Sequence, residues 1–198
     1  MVAVIDYGAG NLRSVCNALA VLGAQFLVTN EPAGLEQGSA ILLPGVGHFG
    51  QMMQALHTAG LTAPLRRRLE SGTPYLGICL GMQALFESSE EAPQIPGLGL
   101  LPGAVQRFPA GQKVPHMGWT LVESQGEAGG RMYYFAHSYY VPADAEGCAA
   151  IARHGLPFTA ILRRGNLAGS QFHPEKSGPS GLEFLRAWIS AAEGAGQK

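Results

Sequence analysis

Between Val2 and Cys79, short apolar runs alternate with stretches of helical period, and this alternation restricts what the chain can fold into. Val2-Ala-Val-Ile5 is an apolar run with β-branched residues, a buried-strand pattern. Asp6 to Gly10 reads as a turn, and Asn11 stands where a helix cap is expected. Leu12, Val15, Cys16, Leu19 and Leu22 follow at helical spacing before Gly23 stops the helix. Phe26–Thr29, Ala40–Leu43 and Pro74–Ile78 read as further strands. Met52–Leu69 is helical with interruptions near Gly60 and Pro64, and Leu80–Glu87 is expected as another helix. Strands separated by helices imply parallel βαβ units with right-handed crossovers. Apolar runs without strict alternation imply strands covered on both faces.

After about residue 93 the rhythm changes. Val105–Phe108, Trp119–Val122, Met132–Ala136, Tyr139–Val141, Ala149–Ala152 and Phe158–Arg163 are short and punctuated by Gly or Pro, which predicts an antiparallel section. Leu167–Phe172 is one more strand. Gly181–Ala192 predicts a closing helix with Leu182, Leu185, Trp188 and Ile189 on one face, and Gly194–Lys198 a frayed tail. With 28 glycines and 13 prolines scattered rather than periodic, residues 1–198 read as a single α/β domain.

A net charge of −1 supplies no basic field for a phosphate backbone, so no nucleic-acid partner is expected. Arg66, Arg67 and Arg68 read as a solvated helix face. Three widely spaced cysteines, Cys16, Cys79 and Cys148, with no CxxC, fit neither a disulfide framework nor a zinc site and suit a reducing cytoplasm. Asp6 interrupts the first apolar run at once, so neither a signal peptide nor a membrane span is expected.

Three patterns carry chemistry. Gly77-Ile-Cys79-Leu-Gly81 sits at a strand-to-helix junction and resembles a nucleophile elbow, in which flanking glycines let backbones approach a sharply turned nucleophile. The junction exposes sulfur at the carboxyl end of the sheet, and the helix dipole there favours a thiolate. The Leu80 amide points the same way and can donate to an oxyanion. A cysteine alone is most often a small buried hydrophobe; the glycine bracket argues otherwise. Gln171-Phe-His173-Pro-Glu175 supplies a base and its orienting acceptor two residues apart, on one side of an extended chain. Alone, a His-x-Glu pair is weak, and no further ligand cluster supports a metal. Leu43-Pro-Gly-Val-Gly47 follows a strand and can offer the amides of Val46 and Gly47 to a negative charge, although such a loop is by itself an ordinary turn.

Together, in this order, the three patterns resemble the class I (triad-type) glutamine amidotransferases. That resemblance implies a flavodoxin-like open sheet, mostly parallel, with an antiparallel section in the C-terminal half. It implies a triad of Cys79, His173 and Glu175, an oxyanion hole from the backbone of Leu80 with Val46 or Gly47, and glutamine binding by Gln83, Gly47, Ser138 and Tyr139. A finer resemblance covers nearly the whole chain. Ile5 to Val15, Pro44 to Gly47, Val114 to Trp119, Tyr134 to Tyr140 and His173 to Ser177 are similar to the glutaminase subunits of imidazole glycerol phosphate synthases. Thr120 departs from that pattern, which usually has asparagine there.

The resemblance implies a cytoplasmic enzyme without metal or organic cofactor. It also implies a heterodimeric partner, a (β/α)8-barrel cyclase of histidine biosynthesis, with His116, Trp119, Tyr134 and Lys176 as interface residues. Besides the glutaminase subunit of another amidotransferase, two further readings remain open at this point. One is a free-standing cysteine amidase or peptidase, which would turn over without a partner. The other is a non-catalytic binding module, which would keep its function when Cys79 is replaced.

Overall fold

A computed structural model describes residues 1–8, 11–123 and 130–195. Ala9 and Gly10 of the expected first turn, and residues 196–198 of the expected tail, lie outside the described residues.

Four parallel strands form the centre: β1 (Val2–Ile5), β2 (Phe26–Thr29), β3 (Ala40–Leu43) and β4 (Tyr75–Ile78). Helices α1 (Leu12–Val21), α2 (Pro32–Gln37), α3 (Phe49–Thr58) and α4 (Thr62–Glu70) connect them. β1, β3 and β4 are buried at every position, as expected of strands covered on both faces. The expected helix after Cys79 is cut to α5 (Leu80–Gln83), and β5 (Phe86–Ser89) begins in its place. The Leu85 amide donates to Met82, three residues back rather than four, and the Gly81 carbonyl that a helix would offer it accepts from the Tyr75 hydroxyl at 2.7 Å; Phe86 then pairs as a strand with Leu101.

The C-terminal half contributes β6 (Leu101–Arg107), β7 (His116–Val122), β8 (Arg131–His137), β9 (Tyr139–Tyr140), β10 (Cys148–His154), β11 (Leu156–Arg164), β12 (Leu167–Ser170) and α6 (Gly178–Ala195). The main sheet has seven strands in the order β10-β11-β12-β4-β3-β1-β2. β12 returns parallel to β4, whereas β10 and β11 are antiparallel. The expected α/β class and mixed sheet are present, with β7 and β8 as a separate antiparallel pair.

Two apolar layers cover the main sheet. Val4, Leu42, Leu76, Phe158 and Phe172 pack on one face with Leu19 and Leu185 of α1 and α6. Ile5, Ile41, Leu43 and Tyr75 pack on the other with Met52, Leu56, Leu65 and Leu69 of α3 and α4. Burial of this kind stabilises by about 25 cal/mol per Å² of apolar surface, which holds the carboxyl ends of β1, β3, β4 and β12 in a fixed relation. Among Arg66, Arg67 and Arg68, the first pairs with Glu70 and the other two with Glu36, so the basic run is a neutralised helix face.

Candidate active site

Cys79 follows β4 directly, with φ 52° and ψ −104°, a left-handed backbone that a side chain rarely adopts. Close packing holds it there. A Cβ at Gly77 would strike the Gly81 backbone, and one at Gly81 would strike the Leu43 carbonyl, so only glycine fits on either side. The Cys79 amide donates to the Ser170 carbonyl at 2.6 Å, which joins the elbow to the end of β12.

β12 then delivers Gln171, Phe172 and His173. The His173 amide donates to the Tyr134 carbonyl at 2.9 Å, and the Ser177 hydroxyl, which accepts from the Tyr134 amide, donates to the His173 carbonyl at 2.6 Å. β8 therefore anchors the closing motif through its backbone. His173 Nδ1 lies 2.9 Å from Glu175 Oε1, and His173 lines the same cavity as Cys79, close enough for the two to couple electrostatically. Burial lowers the His173 pKa, but the Cys79 sulfur and the Glu175 carboxylate together outweigh it and push the value up to about 10. The structure thus brings Cys79, His173 and Glu175 together at the carboxyl ends of β4 and β12.

Asn11 does not cap α1 with its side chain. It has φ 75°, and its Nδ2 donates instead to Glu175 Oε1. The short polar side chain expected to close a helix end fixes the triad's carboxylate.

A cavity of about 250 Å³ opens onto the sulfur. Its lining includes Val46, Gly47, Cys79, Leu80, Gln83, Ser138, Tyr139 and His173, so the residues expected to bind substrate gather at one place. Glu91 and Lys176 also line it. Glu91 was not expected; its Oε2 accepts from the Phe49 amide at 2.7 Å, which sets the carboxylate at the start of α3. Pockets for drug-sized ligands run to about 300–1,000 Å³, so this one suits a molecule of amino-acid size. Gln83 is buried, and its Oε1 has no partner among the described residues.

Leu80 opens α5, so its amide is one of the first-turn donors that a helix leaves unpaired. The expectation for Val46 is corrected. Its amide donates to the Tyr7 hydroxyl at 3.0 Å, and the same hydroxyl donates to the Val46 carbonyl at 3.1 Å. Tyr7 therefore holds Val46 by both backbone groups and turns its N–H away from the role of oxyanion donor. Burial, moderated by the bond to Val46 and reinforced by the nearby Cys79 and Asp6, pushes the Tyr7 pKa up to about 12, so the phenol stays protonated. Because the peptide is planar and trans, the Gly47 amide faces away from Tyr7. Gly47 has φ 99°, open to glycine and strained for other residues.

His116 is also corrected as an exposed contact. It is 5% exposed, its Nδ1 lies 3.0 Å from His137 Nε2, and its Nε2 lies 2.8 Å from the Thr120 hydroxyl. Trp119 and Met117 are 53% and 63% exposed on the opposite face of β7. Tyr134 packs edge-on against Trp119, and Lys176 is exposed. A strand alternates its faces, so His116 and Trp119, three residues apart, cannot both point outward. That spacing was readable from the sequence.

An elbow cysteine, a histidine–carboxylate pair and an amino-acid-sized cavity meet on a mixed α/β sheet, the arrangement expected of a glutamine amidotransferase. The class-I glutamine amidotransferase family model matches residues 3–191, and the chain belongs to that family. It is 50% identical over 185 residues to imidazole glycerol phosphate synthase subunit HisH of Thermus thermophilus, covering 92% of this chain and 93% of the relative. It is 48% identical to the subunit of the same name from Moorella thermoacetica, covering 98% and 97% of the two chains. Among solved structures, a glutamine amidotransferase superposes with a TM-score of 0.81 at 25% identity, covering 98% of this chain and 100% of that one.

Proposed function

We propose that the chain is the glutaminase subunit of an imidazole glycerol phosphate synthase, hydrolysing the side-chain amide of glutamine and passing ammonia to a (β/α)8-barrel cyclase. The observation that carries this reading is the meeting of Cys79 and the His173–Glu175 pair at one cavity, backed by the near full-length likeness to HisH subunits.

In this mechanism glutamine enters the cavity with its ammonium toward the Glu91 carboxylate and its amide N–H toward the unpartnered Gln83 Oε1. Cys79 attacks as thiolate. The Leu80 amide stabilises the tetrahedral oxyanion, and His173 gives its proton to the departing ammonia. Neutral His173 then takes a proton from water as that water attacks the glutamyl thioester, releasing glutamate. Glu175 fixes the His173 tautomer throughout.

The second oxyanion donor lies in the loop Pro44 to Gly47. With the Val46 amide held by Tyr7, that loop is at rest, and activation turns it to aim a donor at the substrate. Loss of one such donor typically costs about 2.7–4 kcal/mol of transition-state stabilisation, enough to leave the subunit nearly silent alone. Gly47→Pro, which fixes φ near −65° and removes the N–H, should abolish glutaminase activity while leaving the fold.

The cyclase docks on the outward face of the β7–β8 hairpin. Met117, Trp119, Leu121 and Met132 form an exposed apolar stripe there, and Met117 also lines the cavity. Among the described residues no helix is long and apolar enough to cross a membrane, and the three cysteines are free. A heterodimer in the cytoplasm is the proposed setting.

Glutamate release is measured for the chain alone, with the cyclase, and with the cyclase and its nucleotide substrate. A low rate that rises at each step supports the reading. A high rate indifferent to the cyclase sinks the partnership, and turnover retained in Cys79→Ala sinks the triad.

A further inference from the structure

Gln171 is fully buried between the Cys79 sulfur and Gln83, and the direction of its amide is fixed by what surrounds it. The Tyr139 carbonyl can only accept. It lies 2.9 Å from Gln83 Nε2 and 2.8 Å from His137 Nδ1. Gln83 must therefore present its NH2 group to that carbonyl, and the group's other hydrogen goes to Gln171 Oε1 at 3.0 Å. Reversing Gln83 would set two acceptors against each other, and reversing Gln171 alone would set two donors against each other. With its oxygen taken, Gln171 has only its NH2 for the sulfur, and Nε2 sits 3.4 Å from Cys79 Sγ.

We infer that Gln171 is a further catalytic residue, whose Nε2–H donates to Cys79 Sγ and favours the anionic sulfur in both halves of the proposed reaction, on which this role rests. A donor aimed at a titrating atom stabilises its charged form. A buried amide is also costly where a hydrocarbon would serve, so its presence beside the sulfur calls for a polar function.

The chemistry divides the work between His173 and Gln171. In the first half the anionic sulfur bonds to the amide carbon, the carbon–nitrogen bond breaks, and nitrogen leaves as ammonia with the proton from His173. In the second half water adds to the thioester carbon, one water proton goes to His173, and the carbon–sulfur bond breaks with its electron pair going to sulfur. The products are the carboxylic acid, the thiolate and protonated His173. As that bond breaks, His173 is still receiving its proton. The Gln171 N–H does not titrate and remains in place on the sulfur.

The test uses Gln171→Met, similar in volume without a donor, and Gln171→Glu, which keeps the shape and sets a carboxylate toward sulfur. Two quantities are read: carbamidomethylation of the Cys79 peptide by iodoacetamide across pH, and steady-state glutaminase kinetics with the cyclase. Both variants should move the alkylation profile to higher pH. They should lower kcat by about 10- to 100-fold, the range of a hydrogen bond to a charged group, with KM within about threefold. A packing role would leave the pH profile unmoved, so an unmoved profile with kcat within about threefold in whichever variant folds overturns the inference. If wild-type Cys79 resists alkylation, or Cys79→Ala retains turnover, the nucleophile assignment falls and this role falls with it.

Discussion

Asn11, at the end of the β1–α1 turn, donates through Nδ2 to Glu175 Oε1, the same oxygen that receives His173 Nδ1 from two residues away. One carboxylate oxygen thus takes two donors, while Oε2 is buried without a partner among the described residues, so the Asn11 bond decides which way Glu175 faces. Asn11→Gly removes the side chain and keeps a residue at ease with φ 75°. It should leave thermal stability within about 1 kcal/mol and lower kcat about tenfold or more, with little change in KM. Steady-state kinetics beside a thermal melt checks this; an unchanged kcat removes Asn11 from the site.

Tyr7 holds Val46 by its N–H and its carbonyl at once. Tyr7→Phe keeps the ring and deletes only the hydroxyl, so the loop is released without a cavity. Glutamate release by the chain alone should rise several-fold, and the stimulation by the cyclase should shrink. A basal rate that stays the same or falls would show that the hydroxyl holds no resting state.

Cys79 occupies a backbone region that costs of order 1–3 kcal/mol for a residue with a side chain. Cys79→Gly relieves that strain and Cys79→Ala does not. Both should be inactive, with the glycine variant the more stable by about 1 kcal/mol after its larger unfolded-state entropy is counted. Chemical denaturation of the pair measures the difference. Equal midpoints would mean that the elbow carries no strain.

Acid should destabilise the fold through its buried histidines. Burial, opposed in part by the bond to the Tyr139 carbonyl and reinforced by His116, His173 and His154, pushes His137 down to about 3. Burial and the neighbouring His154 push His116 down to about 4. A depressed histidine is neutral when folded and binds its proton more readily when unfolded. Its stabilisation is therefore present above about pH 6.5 and is lost as pH falls toward the folded value. His137 alone accounts for a slope approaching about 1.4 kcal/mol per pH unit below that point, and His116 adds in the same direction. Denaturant unfolding of wild type and His137→Asn at pH 7, 6 and 5 tests this. Parallel pH dependences in the two proteins would contradict it.

Trp119→Ala on the β7 face should weaken the complex with the cyclase by 2 kcal/mol or more, about thirtyfold in Kd, while the isolated chain keeps its melting temperature. His116→Ala should instead lower the melting temperature, since His116 is packed inside. Titration calorimetry and melting curves separate the two effects. Unchanged affinity in Trp119→Ala would move the docking surface elsewhere.

The main strands were legible because β1, β3 and β4 are apolar at nearly every position, a pattern that needs no knowledge of distant residues. The elbow and the His-Pro-Glu motif were legible because their chemistry is local, within a few residues of Cys79 and His173. What remained hidden depends on partners far away in the chain. Nothing near Tyr7 announces its hold on Val46, and nothing near Asn11 distinguishes a helix cap from a ligand of Glu175. The helix expected through Glu87 failed for the same reason, because Tyr75 takes the Gly81 carbonyl and Leu101 pairs with Phe86, contacts that no local spacing announces. His116 was the one error that strand alternation alone would have prevented.

The thiol lies in the first half of the chain, and its base lies close to the C-terminus. Their junction is the pairing of β4 with β12, which cannot form before β12 has been synthesised. During synthesis Cys79 therefore emerges long before His173, Glu175 and Gln171, and a half-made chain carries a thiol with none of these partners. Hydrolytic competence arrives as the last step of assembly, so an aborted or truncated product should be inert toward glutamine and waste none of it.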